Sequence, residues 1–225
     1  MRLRDTKTAA LPVTGPGARW VVLGRTVFAL LGFSAVVTEI ATLVARGRFV
    51  PANFFSFFTI QSNLLAVTSL LLGAFATATG QHPEWLRFFR GAVTLYMTTT
   101  ILIFVVLLSH LPASELTAVP WDNTVLHYIM PIVMIVDWAA LDARTAVPFR
   151  RAVLWLAFPL LYLVYSLIRG PIVGWYPYPF MDASLHGYLG VAVTALVIAV
   201  VLTGIAAVIA KLPAWTGRRT GSLGR

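Results

Sequence analysis

The chain is predicted to be all-α, a polytopic six-transmembrane-helix bundle with both termini cytoplasmic. Three observations lead there. Only 11% of the 225 residues are charged and 59% are hydrophobic, with a mean hydropathy of +0.83, whereas soluble domains carry about 25% charged residues. The charges cluster between apolar runs that are each close to the ~20 residues needed to cross a bilayer. The third observation is the side on which the basic residues collect, which sets the orientation.

Residues 1–19 form a basic tail with Pro12, Gly15, Pro16 and Gly17, a composition expected to be disordered. The first apolar run holds Glu39 and lacks a small-x-small exit, so it reads as a retained helix and not as a cleaved signal. The membrane domain spans 20–210, and a basic tail fills 211–225. Within the domain, helices are expected at about 25–44, 54–78, 88–108, 120–141, 152–168 and 185–210. The first ends at the Ala45–Pro51 loop, the second at Gly80, the third before Pro112 and the fifth at Gly170-Pro171. No internal repeat or second domain is found.

Six spans put both termini on one side. Arg2, Arg4, Lys7, Arg19, Arg25, Arg87, Arg90, Arg144, Arg150, Arg151, Lys211, Arg218, Arg219 and Arg225 flank that side, against Arg46, Arg48 and Arg169 on the other. Lys and Arg accumulate in cytoplasmic loops, so the bias orients the chain. The net charge of +9 is therefore a topology signal, which anionic lipids would also attract, and nucleic acid is not an expected partner. The seven tryptophans fall near predicted helix ends, where aromatic belts form. There is no cysteine, which excludes disulfides and thiolate metal sites.

The second span opens on Asn53-Phe-Phe-Ser-Phe-Phe-Thr-Ile-Gln-Ser-Asn63, with Ser56, Thr59, Gln61, Ser62 and Asn63 inside an apolar run. As a helix, Ser56, Thr59 and Asn63 would share one stripe at i, i+3 and i+7. Thr59 would then lie roughly 8 Å below Phe54 at about 1.5 Å per residue. His127 is placed at a similar depth in the fourth span, with Glu39 near the same end of the first. Tyr162, Tyr165 and Arg169 share a face at i, i+3 and i+7 in the fifth, and an aromatic loop from Trp175 to Phe180 carries Tyr176 and Tyr178. One outer layer thus receives the unusual polar groups of several helices.

Each group also has a plainer role. Ser, Thr, Asn and Gln in membrane helices bond their own backbone or join helices, which is the reading for Gln61, Asn63 and Thr98–Thr100. Asp137, near the cytoplasmic end of the fourth span, reads as a structural residue that faces either water or a nearby arginine. Ionisable groups inside a span are costly and tend to have a function and a partner, which for Glu39 points to Arg169 or His127. His127 is either a packing residue or a base for a hydroxyl at its own depth. None of His110, His127 and His186 has a second histidine at i+3 or i+4, so neither a metal nor another cofactor is expected.

Phe58-Thr59-Ile-Gln-Ser-Asn63, Leu126-His127-Tyr-Ile-Met-Pro131 and Trp175-Tyr-Pro-Tyr-Pro-Phe180 together resemble a group of bacterial six-helix integral membrane proteins. That group is distantly similar to the animal androgen-induced and androgen-dependent TFPI-regulating protein family, which hydrolyses fatty acid esters of hydroxy fatty acids. The resemblance covers residues 20–210 in motif order and helix number. It implies Thr59 as nucleophile and His127 as general base of a lipid-ester hydrolase. Asn63 or a helix-terminal N–H would hold the oxyanion, Glu39 would orient His127, and the Trp175–Phe180 loop would cap the cavity. Membrane lipids and a small lipid-like substrate are the partners it implies. Other readings of the same residues are a non-catalytic lipid or small-molecule binder, a transporter, and a haem- or quinone-linked electron carrier.

Overall fold

The computed structural model describes residues 16–112, 117–141 and 146–221. Six helices in it have the length and apolar composition to cross a membrane: α1 (Gly17–Ala45), α2 (Phe58–Thr79), α3 (Glu84–Leu108), α4 (Pro120–Ala140), α5 (Phe149–Val173) and α6 (Ala183–Leu212). The protein is an all-α bundle of multi-pass membrane type. Arg2, Arg4, Lys7, Arg144 and Arg225, used in the charge count, lie outside the described residues, as do the side chains of Trp215, Arg218 and Arg219.

α1 packs along α2, α2 along α3 and α3 along α4, and α6 closes against α3 and α4. Close approach requires small residues where helices meet. A Cβ on Gly91 of α3 would sit 2.5 Å from Trp155 Cζ2 and 3.1 Å from Trp138 Cη2. Those two indoles meet edge to face, at 6.3 Å and 90°, and Trp138 Nε1 donates to Ile209 O of α6 at 2.9 Å. They are core residues, only 1% and 0% exposed, and not members of an aromatic belt. Trp20, Trp85 and Trp121 are the exposed ones among those expected at the interfaces.

Several boundaries differ from expectation. The first helix is already formed at Gly17, so Arg25 lies well inside it and is 4% exposed. Arg90, expected in a loop, is likewise buried in α3. Both guanidinium groups hold Asp137 of α4: Arg25 Nε donates to Oδ1 at 2.8 Å, and Arg90 Nη2 donates to Oδ2. Arg25 Nη1 also donates to Gly73 O at 2.8 Å and to Thr77 Oγ1 at 2.7 Å on α2. A Cβ on Gly73 would be 3.3 Å from both guanidinium groups, so glycine makes room for them. Two of the counted basic residues are thus internal ligands, and the Asp137 expectation of an arginine partner is met twice.

The Gly170-Pro171 pair does not end α5. Pro171 is accommodated in its last turn, and the helix stops at Gly174 in the left-handed conformation. The last helix continues to Gly221, into the segment read as a tail. Most consequential is the entry to α2. A one-turn helix, Pro51–Phe54, is followed by a break, and α2 starts only at Phe58. Ser56 therefore precedes the helix, and Thr59 is its second residue, not a residue about a turn and a half down.

Candidate functional site

Placing Thr59 at the start of α2 has a direct electrostatic consequence. The first amides of a helix have no intrahelical acceptor, so the Thr59 N–H is free to point at another group. It donates to Tyr178 Oη at 3.2 Å. The Thr59 hydroxyl lies 3.3 Å from His127 Nε2 and 3.3 Å from Tyr178 Oη. Three elements, α2, α4 and the α5–α6 loop, meet on one hydroxyl.

The direction of the proton in that contact follows from the far side of the ring. His127 Nδ1 is 3.1 Å from Asn123 O, and a carbonyl oxygen only accepts, so Nδ1 carries the hydrogen. In the neutral ring, Nε2 then presents a lone pair to Thr59, and the threonine O–H donates to it. Phe104 of α3 stacks on the imidazole at 4.1 Å and 25°, which holds the ring plane. At 3.3 Å the contact is a long hydrogen bond between a buried hydroxyl and a buried imidazole.

The backbone of α4 is shaped for this. Val125–Ile129 is a π-helical turn with His127 at its centre, facing a second π-turn, Phe104–Leu108, in α3. Such turns cluster at functional sites. Met130 N–H bonds back to Val125 O, so the next donor in that register belongs to Pro131, which has none. Leu126 O is left for another donor, and Asn63 Nδ2 supplies it at 3.1 Å while also bonding Thr59 O at 2.9 Å. Asn63 therefore joins α2 to α4, as helix glue. With both amide hydrogens engaged, it has no donor for an oxyanion, contrary to that expectation.

The other expected residues separate into groups. Glu39 accepts Ala118 N–H with both carboxylate oxygens at 2.9 Å, and the Asp122 carboxyl lies against it. It pairs with neither Arg169 nor His127 and does not orient the imidazole, which the Asn123 carbonyl does. Tyr162, Tyr165 and Arg169 do share a face, and it clamps α5 to the α1–α2 connection: Tyr162 Oη donates to Ser56 O at 3.0 Å, Tyr165 Oη meets Ser56 Oγ at 2.7 Å, and Arg169 Nη2 donates to Asn53 Oδ1 at 2.6 Å. Arg169 also sits over the Trp175 ring at 5.3 Å. Gln61 Nε2 donates to Phe55 O at 2.8 Å, fastening its own entry turn. The Tyr176 ring covers Gly170, where a Cβ would fall 2.0 Å from it. Tyr165, Arg169, Gln61 and Tyr176 therefore shape the scaffold and do not line the cavities described next.

Two cavities meet at Thr59. The first, about 270 Å³, is almost wholly apolar and lies between α5 and α6, with Leu160, Leu163, Ala195 and Ile198 among its walls. Tyr162 contributes to this wall. The second, about 570 Å³, is more polar and is lined by Glu39, Arg46, Arg48, Asn123 and His127. Thr59 and Tyr178 belong to both walls. The Tyr178 contact with Thr59 is not foreseen from the sequence, although a tyrosine set between Pro177 and Pro179 signals a rigidly displayed ring. The Asn123 carbonyl and the two π-turns leave no mark in composition or periodicity; only Pro131, four residues after His127, hints at a disturbed helix.

Searches against protein families, curated proteins and solved structures give no significant match for this chain.

Proposed function

We propose that the protein is an intramembrane acyl-ester hydrolase, with Thr59 as nucleophile and His127 as general base. One observation carries the reading. A buried hydroxyl lies 3.3 Å from an imidazole nitrogen whose lone pair is aimed at it, because the Asn123 carbonyl occupies the other ring nitrogen. Hydroxyl, base and a group that orients the base are the parts of an activated nucleophile. The resemblance of the Thr59, His127 and Trp175–Phe180 motifs to the androgen-induced hydrolase family supports the same roles.

The cavities suit an amphipathic ester. An acyl chain fits the apolar space between α5 and α6, entering sideways from lipid, and the polar part of the substrate faces the cavity that holds Glu39, Arg46 and Arg48. Thr59 Oγ1 attacks the carbonyl carbon as its proton passes to His127 Nε2. When the tetrahedral intermediate collapses, the alcohol leaves with that proton. Water then attacks the acyl-Thr59 ester, giving a proton to Nε2, and the proton returns to Thr59 as the acid departs. The basic flanks orient this site toward the outer leaflet, with both termini in the cytoplasm. That bias stands without Arg25 and Arg90.

The test is hydrolysis of long-chain esters by purified protein. Thr59→Ala is expected to abolish turnover, and His127→Ala to lower kcat by about 10²–10⁴-fold. An inactive wild-type protein, or unchanged turnover in both variants, overturns the reading.

A further inference from the structure

The acyl-ester reading, on which this inference rests, raises a requirement that the Thr59–His127 pair does not meet. Attack on an ester carbonyl moves its π electrons onto oxygen, and that oxyanion needs donors aimed at it. Asn63 has spent both amide hydrogens on Thr59 O and Leu126 O. The Ser62 hydroxyl is turned to Thr59 O and Thr100 Oγ1, at 3.1 and 2.9 Å. Beside Thr59 Oγ1, the described residues offer the Thr59 amide at the helix start and the phenol of Tyr178.

We propose that Tyr178 is a catalytic oxyanion donor delivered by the α5–α6 loop, its phenol oxygen standing in for the ester carbonyl oxygen in the resting protein. The position argues for it. Tyr178 Oη accepts the Thr59 N–H at 3.2 Å and lies 3.3 Å from the nucleophilic oxygen. An acceptor at that distance from both atoms occupies the place a carbonyl oxygen must take as Thr59 attacks. The incoming oxygen replaces the phenol as acceptor of the Thr59 amide. The phenol yields that place and turns its O–H onto the newcomer.

The loop is built to hold the ring there. A residue before proline is restricted to extended backbone, and Tyr178, preceding Pro179, has φ −139° and ψ 140°. Phe180 stacks on the ring at 5.3 Å and 4°, and Phe57 meets it edge-on at 5.8 Å. Burial raises the phenol above its ordinary range, so it keeps its hydrogen at neutral pH. Tyr178 thus donates a hydrogen bond and never its proton. On collapse, the oxyanion electrons re-form C=O, the bond to the alcohol oxygen breaks, and His127 Nε2–H protonates that oxygen.

Tyr178→Phe tests this in the full-length protein, because it keeps the ring that packs on Phe57 and Phe180. It is expected to lower kcat about 10²–10³-fold with KM nearly unchanged. The affinity of a trifluoromethyl ketone analogue of the ester should fall in parallel, while that of the corresponding ether, which forms no oxyanion, should hold. Should Tyr178→Phe fail to fold, fluorotyrosine at 178 provides the second variant. It preserves shape while strengthening the donor, and it should change ketone affinity without changing ether affinity. Full activity in Tyr178→Phe, with Thr59→Ala inactive, overturns the assignment alone. Equal losses for ketone and ether make Tyr178 a packing residue and overturn it too. A folded wild type that neither hydrolyses esters nor reacts at Thr59 removes the ester reading beneath it.

Discussion

Replacing Asp137 by asparagine exchanges one oxygen for an NH₂ and should destabilise the bundle severely. The carboxylate is held by Arg25 from α1 and Arg90 from α3, and all three side chains are no more than 7% exposed. Arg25 extends the tie to α2 through Gly73 O and Thr77 Oγ1, so four helices converge on one acid. The substituted amide would keep a single acceptor oxygen and turn its NH₂ toward a guanidinium, leaving two buried positive charges without this counter-charge. Breaking a buried pair from one side costs about 3–5 kcal/mol, against a typical total stability of about 5–15 kcal/mol. At about 1.4 kcal/mol per tenfold, the unfolded fraction should rise by roughly two to three and a half orders of magnitude. Unfolding of purified protein in mixed micelles by titration with SDS would measure this. The triple change Arg25→Met, Arg90→Met, Asp137→Leu removes the charges together and should be less damaging than Asp137→Asn alone. A single variant within about 1 kcal/mol of wild type, or a triple variant worse than the single, refutes the reasoning.

Gly91→Ala should cost about 1–3 kcal/mol by overpacking, since its Cβ would fall 2.5 Å from the buried Trp155 ring. Gly24→Ala, with nothing within 4 Å, should be neutral or stabilise by up to about 1 kcal/mol; the same titration compares them. Ala195→Trp fills the apolar cavity and should reduce turnover of long-chain esters far more than of short ones, measured as a ratio of kcat/KM. At the start of α6, Asp182 accepts bonds from Ser184 N and Oγ at 2.8 and 2.6 Å, and they hold its carboxyl below the ordinary aspartate range. A depressed folded value means the contribution is full above pH of about 4 and is lost as pH falls through it. The Tm difference between wild type and Asp182→Ala should therefore be constant near neutrality and close in acid.

The bundle is legible in the sequence because each span needs about 20 apolar residues whatever surrounds it, and the charge clusters mark the turns. Helix ends are less so. A sequence shows Arg25 and Arg90 only as charges near an expected boundary, while the acid that draws them inside, Asp137, is far along the chain. Pro171 reads as a stop, yet the helix runs two residues past it and ends at the left-handed Gly174. At the site, depth alone places Thr59 level with His127, and the two do touch. The roles of their neighbours depend on finer matters. Glu39 is expected to meet a histidine or an arginine because ionised groups attract, but the nearest donor is the Ala118 amide. Asn63 is expected to serve an oxyanion, but Pro131 strands the Leu126 carbonyl beside it. Such orphaned backbone groups are set by a π-turn that no periodicity reveals. Tyr178 comes into contact with Thr59 only because α2 starts after Phe57, a break hidden within five aromatic and small residues.

The central claim, that Thr59 is an activated nucleophile, is tested most directly by locating the covalent adduct of a long-chain fluorophosphonate on the folded wild-type protein by peptide mass spectrometry. One modification is expected on the peptide containing Thr59, absent in Thr59→Ala and much slower in His127→Ala. No adduct at Thr59, or equal labelling of Thr59→Ala, would contradict it.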